Sequence, residues 1–85
     1  MTLPYVLSNH ARAVCIERGI EFEWIDRALG APALIQPDPN SLSLLHAFIF
    51  VPERDGRILR AIYNSSVHPV RIVTVFFDRR MRGKL

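Results

Sequence analysis

With 85 residues, 49% of them hydrophobic and 22% charged, the chain has the length of one small domain and too much apolar content for a disordered segment. A chain of this size buries only about 60–65% of its unfolded surface, so its margin of stability is thin. The net charge of +3 comes from 11 basic residues against 8 acidic ones, and ten of the eleven are Arg, whose planar fork matches a phosphate.

Several classes drop out at once. Cys15 is the single cysteine, so no internal disulfide forms, and a reducing cytoplasm is the expected location. No apolar stretch approaches the ~18 residues of a membrane span. The start, MTLPYVLSNHARAV, lacks a basic region followed by an apolar run, so a secretory signal is not expected. The three histidines, His10, His46 and His68, fall on different elements with no second cysteine, so no metal site is expected. The four glycines are isolated, leaving no phosphate-cradling loop and no other cofactor signature.

In chain order, Met1 to Leu7 reads as a short edge strand or an extended arm, with Pro4 keeping it off a central position. Ser8 is an N-cap candidate for a helix over Asn9 to Arg18. Ala11, Val14, Cys15 and Arg18 share one face of it, and Gly19 follows as its C-terminal stop. A second helix is expected from Glu21 or Phe22 to Leu29, packing through Ile25, Ala28 and Leu29 and stopped by Gly30 and Pro32. The pair forms a tight helix–turn–helix corner. Three acids and only Arg27 make the second helix a poor fit for a DNA groove.

A Pro-rich connector, Ala31 to Ser41, holds Ala33-Leu34-Ile35 as a short edge strand. Leu44 to Val51 is the first solid strand. Pro52-Glu53-Arg54-Asp55-Gly56 is a turn. Arg57 to Tyr63 and Val70 to Phe77 then form an antiparallel hairpin. The last strand is apolar on both faces: Val70, Ile72, Thr74 and Phe76 on one, Val73, Val75 and Phe77 on the other. That marks it as the central strand. The order predicts an α+β fold: two N-terminal helices packed on one face of a three- to four-stranded antiparallel sheet, one domain over residues 1–85. The other face, with Phe48 and Phe50, would stay bare and invite a homodimer or a partner.

Chemistry is sought in His, Arg and Tyr. Metal-independent RNA cleavage needs a group to take the 2′-hydroxyl proton, a group to protonate the leaving oxygen, and cations around the phosphorane. His10 and His68 are candidates for proton transfer, because an imidazole exchanges protons near neutral pH. Each also has a plain structural role available, as a hydrogen-bonding residue in the first helical turn and as a solvated loop residue. His46, in a strand, is more simply packed than catalytic. Arg60, between Ile58 and Ile62, requires a partner or an open surface and is the third catalytic candidate. Tyr63 packs, with its hydroxyl at the sheet edge. Arg18, Arg57, Arg71, Arg79 and Arg80 are the candidate nucleic-acid contacts, the last three within a basic C-terminal stretch where Asp78 is the one acid.

These residues resemble a small bacterial domain of unknown function. The start His10-Ala11 … Arg18-Gly19-Ile20 is similar to its H-A-x-x-R-x-x-x-R-G-I opening. Gly56-Arg57-Ile58-Leu59-Arg60-Ala61-Ile62 and Ile72-Val73-Thr74-Val75-Phe76 are similar to its closing strand pair. Val14 stands where that pattern has Arg, which removes one candidate phosphate ligand, and Glu21 stands where a Ser or Thr cap is common. The resemblance extends in layout to BrnT and RelE-type toxins. It implies two helices on an antiparallel sheet, a ribonuclease acting on RNA, and an antitoxin protein as partner. The competing expectation is a non-catalytic regulatory or binding module that uses the same surface for a protein or a nucleic acid.

Overall fold

The computed structural model describes residues 4–85; residues 1–3 of the expected N-terminal strand lie outside them. In chain order come β1 (Tyr5–Leu7), α1 (Asn9–Arg18), α2 (Phe22–Gly30), β2 (Leu34–Asp38), β3 (Ser41–Val51), β4 (Arg57–Asn64) and β5 (Val70–Phe77). The fold is α+β, with both helices against one five-stranded sheet of order β1-β5-β4-β3-β2. No described helix is long and apolar enough to cross a membrane.

The sheet departs from the expected three or four antiparallel strands. It has five, and it is mixed: Tyr5–Leu7 lies parallel to Val70–Ile72 while every other pair is antiparallel. β4 is therefore the middle strand, and β5 is interior between β1 and β4. The two-faced apolar pattern of β5 has a specific cause. Tyr63 pairs with Ile72 but Ile62 pairs with Thr74, so Val73 is an extra, bulged residue. The bulge shifts the alternation by one. Val70 and Ile72 before it, and Val75 and Phe77 after it, all join the helix-side core, in place of the unbroken alternation predicted.

Ser8 caps α1, its Oγ accepting from the Ala11 N–H at 3.0 Å, a contact worth about 1 kcal/mol. The same hydroxyl donates to the Val73 carbonyl at 3.0 Å, tying the helix start to the bulge. Gly19 ends α1 at φ 66°, a left-handed angle at which glycine carries no Cβ penalty. α1 buries Ala11 and Cys15, whereas Arg18, expected on the inner face, is exposed. α2 buries Trp24, Ile25 and Ala28. The core closes over Ala47, Ile49, Val51, Leu59, Ala61 and Tyr63 from β3 and β4. Tyr5 locks β1 to α2 through its hydroxyl, which donates to Asp26 Oδ1 at 2.7 Å.

The second sheet face carries Phe48, Arg60 and Phe76 side by side on β3, β4 and β5. Phe48 is fully buried there, against the expectation of an exposed ring; Phe50 is 55% exposed. Phe50 lies over the turn into β4. Gly56 stands at φ 74°, where a side chain is strained, and a Cβ there would also push on the Phe50 ring at 2.8 Å.

Candidate nucleic-acid interface

The structure sorts the arginines into two populations. On the second sheet face, Arg60 is held on several sides, although its buried Nε has no hydrogen-bond partner. Its Nη2 lies 2.7 Å from Asp78 Oδ2, its Nη1 lies 3.4 Å from His46 Nδ1, and the guanidinium sits 4.6 Å from the Phe48 ring centroid and 5.7 Å from that of Phe76. His46 Nε2 is 3.0 Å from Asp38 Oδ2. A guanidinium only donates, so Nδ1 of His46 accepts and Nε2 carries the hydrogen that goes to Asp38. Asp38, His46, Arg60 and Asp78 thus form one polar line across β2, β3, β4 and the end of β5. Its hydrogen bonds hold the Asp38 carboxyl below its ordinary value, the His46 bond first and the Asn40 N–H second. The line is sheltered, with His46 8% and Asp78 4% exposed. The arginine between two isoleucines has found its partner, and it is a structural one.

The second population surrounds a cleft of about 860 Å³ between α1, the outer edge of β5 and the C-terminal turn. Arg18, Arg54, Arg57, Arg79 and Arg82 line it, together with His10 and Glu17. Among the described residues none of these five arginines is paired with a carboxylate. α1 supplies His10, Val14 and Glu17 at spacings of four and three, which places them on one helix face. His10 Nε2 is 3.1 Å from Thr74 Oγ1, which holds the imidazole at the mouth of the cleft. Phe76 and Phe77 line it from β5, with the buried Trp24 beneath Phe77. Arg54 lies over Trp24 (5.8 Å) and Phe77 (5.4 Å), Arg57 lies over Phe77 (5.8 Å), and the two rings are 6.1 Å apart. Arg54 also reaches the Gly19 carbonyl at 3.5 Å. Stacking restrains these two cations without neutralising them.

Of the residues singled out from sequence, His10, Arg18, Arg57 and Arg79 meet in this cleft. Arg80 is adjacent, exposed, with its Nε 3.9 Å from Asp78 Oδ1. Arg60 is on the sheet face just described. His68, in the β4–β5 connection, and Arg71, at the start of β5, lie at the opposite end of that strand from Arg79, about 25 Å away at the rise of a strand. Arg54, Arg82 and Glu17 were missed. Arg82 belongs to the basic C-terminal stretch and was within reach of the charge argument. Arg54 and Glu17 join only because a turn and a helix converge on β5. Arg27, the one cation of α2, is held by Glu53 in a two-pronged pair at 2.5 and 3.3 Å, which removes it from any groove-reading role. No group of three or more His, Cys, Asp or Glu among the described residues is placed to hold a metal ion.

The cleft collects the His10, Val14 and Arg18 positions of the opening pattern and Arg57 of the closing one. The family described as Domain of unknown function (DUF4258) matches residues 7–77, and the chain belongs to it. No curated protein and no solved structure matches the chain.

Proposed function

We propose that the protein binds single-stranded RNA by its sugar–phosphate backbone in this cleft. The observation that carries the reading is five arginines without carboxylate partners converging on one concavity with two phenylalanines in its lining. Cations of this kind hold phosphates, and the half-buried Phe76 and Phe77 rings that line the cleft give a base apolar surface to lie against. A single strand suits the shape better than a duplex, because both helices are committed to the sheet and none projects toward a groove. The test is anisotropy of a labelled 12-nucleotide RNA across a salt series. Affinity should fall steeply with salt and vary little with sequence. An absence of binding at low salt would overturn the reading.

A second reading, metal-independent cleavage by a RelE/BrnT-like toxin, is favoured by one observation: His10 and Glu17 face the same arginine-lined space. One of them takes the 2′-hydroxyl proton, the 2′-oxygen attacks phosphorus, and the bond to the 5′-oxygen breaks. That oxygen takes its proton from the other residue, and a 2′,3′-cyclic phosphate is left. Incubating end-labelled RNA with protein in EDTA tests it. Cyclic-phosphate ends that disappear with His10→Ala, together with growth arrest on expression, support cleavage. Binding without those products leaves the non-catalytic module.

A further inference from the structure

Two of the five cleft arginines, Arg79 and Arg82, come from the C-terminal turn. β5 ends at Phe77, and one turn of 3-10 helix follows over Arg79–Met81. The N–H groups of Met81, Arg82 and Lys84 bond to the carbonyls of Asp78, Arg79 and Met81, all inside this segment. Arg79, Arg80 and Arg82 are exposed. Among the described residues, the polar links between the turn and the sheet all pass through Asp78. Its N–H donates to the Ile58 carbonyl at 2.8 Å. Its Oδ1 accepts from the Arg80 N–H at 2.9 Å, which starts the turn. Its Oδ2 lies 2.7 Å from Arg60 Nη2, as an ion pair without hydrogen-bond geometry.

We propose that Asp78, held by Arg60, is a positioning residue of the RNA cleft that aims Arg79 and Arg82 into it. The inference rests on the RNA reading. Net stability does not account for the pair, because sheltered charges give up their water and apolar side chains of similar bulk commonly serve as well. What the carboxylate supplies is direction: one oxygen is held from the sheet while the other sets the first N–H of the turn. Charge alone opposes an acid here. Asp78 lines the cleft, and a carboxylate repels phosphate. Positioning and charge therefore predict opposite signs for its removal.

The probe is the labelled 12-nucleotide RNA, read by anisotropy across a salt series, with urea unfolding to check each variant. Asp78→Ala removes one acid and no arginine. By charge it should strengthen binding; by positioning it should weaken binding about tenfold, the scale of two exposed ion contacts. The slope of log affinity against log salt should then shallow by about 1.4, at ~0.7 per phosphate on a single strand. The same substitution in a chain already carrying Arg79→Ala and Arg82→Ala should weaken binding no further, because it acts through those two residues. Where Asp78→Ala does not fold, Arg60→Met with Asp78→Leu replaces the pair by apolar side chains and leaves the net charge unchanged. It should hold stability near wild type and still lose the affinity. Binding as tight as wild type or tighter in the folded variant overturns the proposal. So does an equal loss in the chain that lacks Arg79 and Arg82. A wild-type chain without RNA affinity removes the RNA reading and this role with it, whereas wild-type binding that survives the loss of Asp78 removes the role alone.

Discussion

Arg60 and Arg57 sit three residues apart on one strand and do different work. Arg60 lies on the second sheet face with carboxylate, imidazole and two rings around it. Arg57 lies at the cleft with one ring beneath it and no carboxylate paired with it, although Glu17 and Asp78 line the same space. The difference teaches that the position of acids, more than the count of cations, decides which arginines remain available to a ligand. Asp78 immediately follows β5, and its carboxyl turns to the sheet face, so Arg60 is neutralised locally while Arg57, Arg79 and Arg82 are not.

The largest way to break this comparison is to remove Arg60. Arg60→Leu leaves the Asp78 carboxylate buried without its cation, and stability in urea should fall by about 3 kcal/mol. Arg57→Ala should stay within about 0.5 kcal/mol of wild type, as exposed substitutions do. Equal losses for the two would erase the distinction.

Arg57→Ala with Arg79→Ala should weaken RNA binding across all sequences. The slope of log affinity against log salt should shallow by about 1.4, at ~0.7 per phosphate contact on a single strand. An unchanged slope would place the phosphates elsewhere.

The polar line has its own pH signature. The Asp38 carboxyl is lowered in the folded chain by the hydrogen bonds from His46 and Asn40. Its contribution is therefore present above the ordinary carboxylate range and is lost as pH falls through the lowered folded value. Melting temperatures of wild type and Asp38→Asn should differ near neutral pH and converge in acid. A constant gap down to about pH 2 would mean that His46 does not hold this carboxylate.

The smallest expected effect sharpens the cleft side. Val14→Arg adds a sixth arginine where the opening pattern has one, and RNA affinity should rise about threefold, the scale of one exposed ion contact.

How legible all this was in the sequence depended on the range of the interaction. The first helix was readable because Ser8 and Gly19 are local signals, whereas the second runs through Gly30, the expected stop, and is capped at Ala31. The closing hairpin was readable because β-branched residues cluster on both sides of one turn-rich connection. β1 was obscure, since three residues carry no measurable period and its parallel pairing joins segments 65 residues apart. The bulge was invisible because an extra valine in a run of apolar residues leaves no mark on composition. Arg60 was rightly seen as an arginine in need of something. Asp78 as its partner could not be read, because that pairing rests on the β4–β5 register. Arg71 was grouped with Arg79 in one basic stretch, and an eight-residue strand keeps them apart.

The bulge at Val73 has a consequence for how this protein can change over time. It sets Val75 and Phe77 so that their side chains belong to the core. Drift at those two positions is constrained by packing. With Val75 wholly buried beneath α1, both its side chain and its main chain are fixed by packing. Variation at the cleft enters more easily through the exposed Arg18, Arg57, Arg79 and Arg82, which can be exchanged one at a time without disturbing the core.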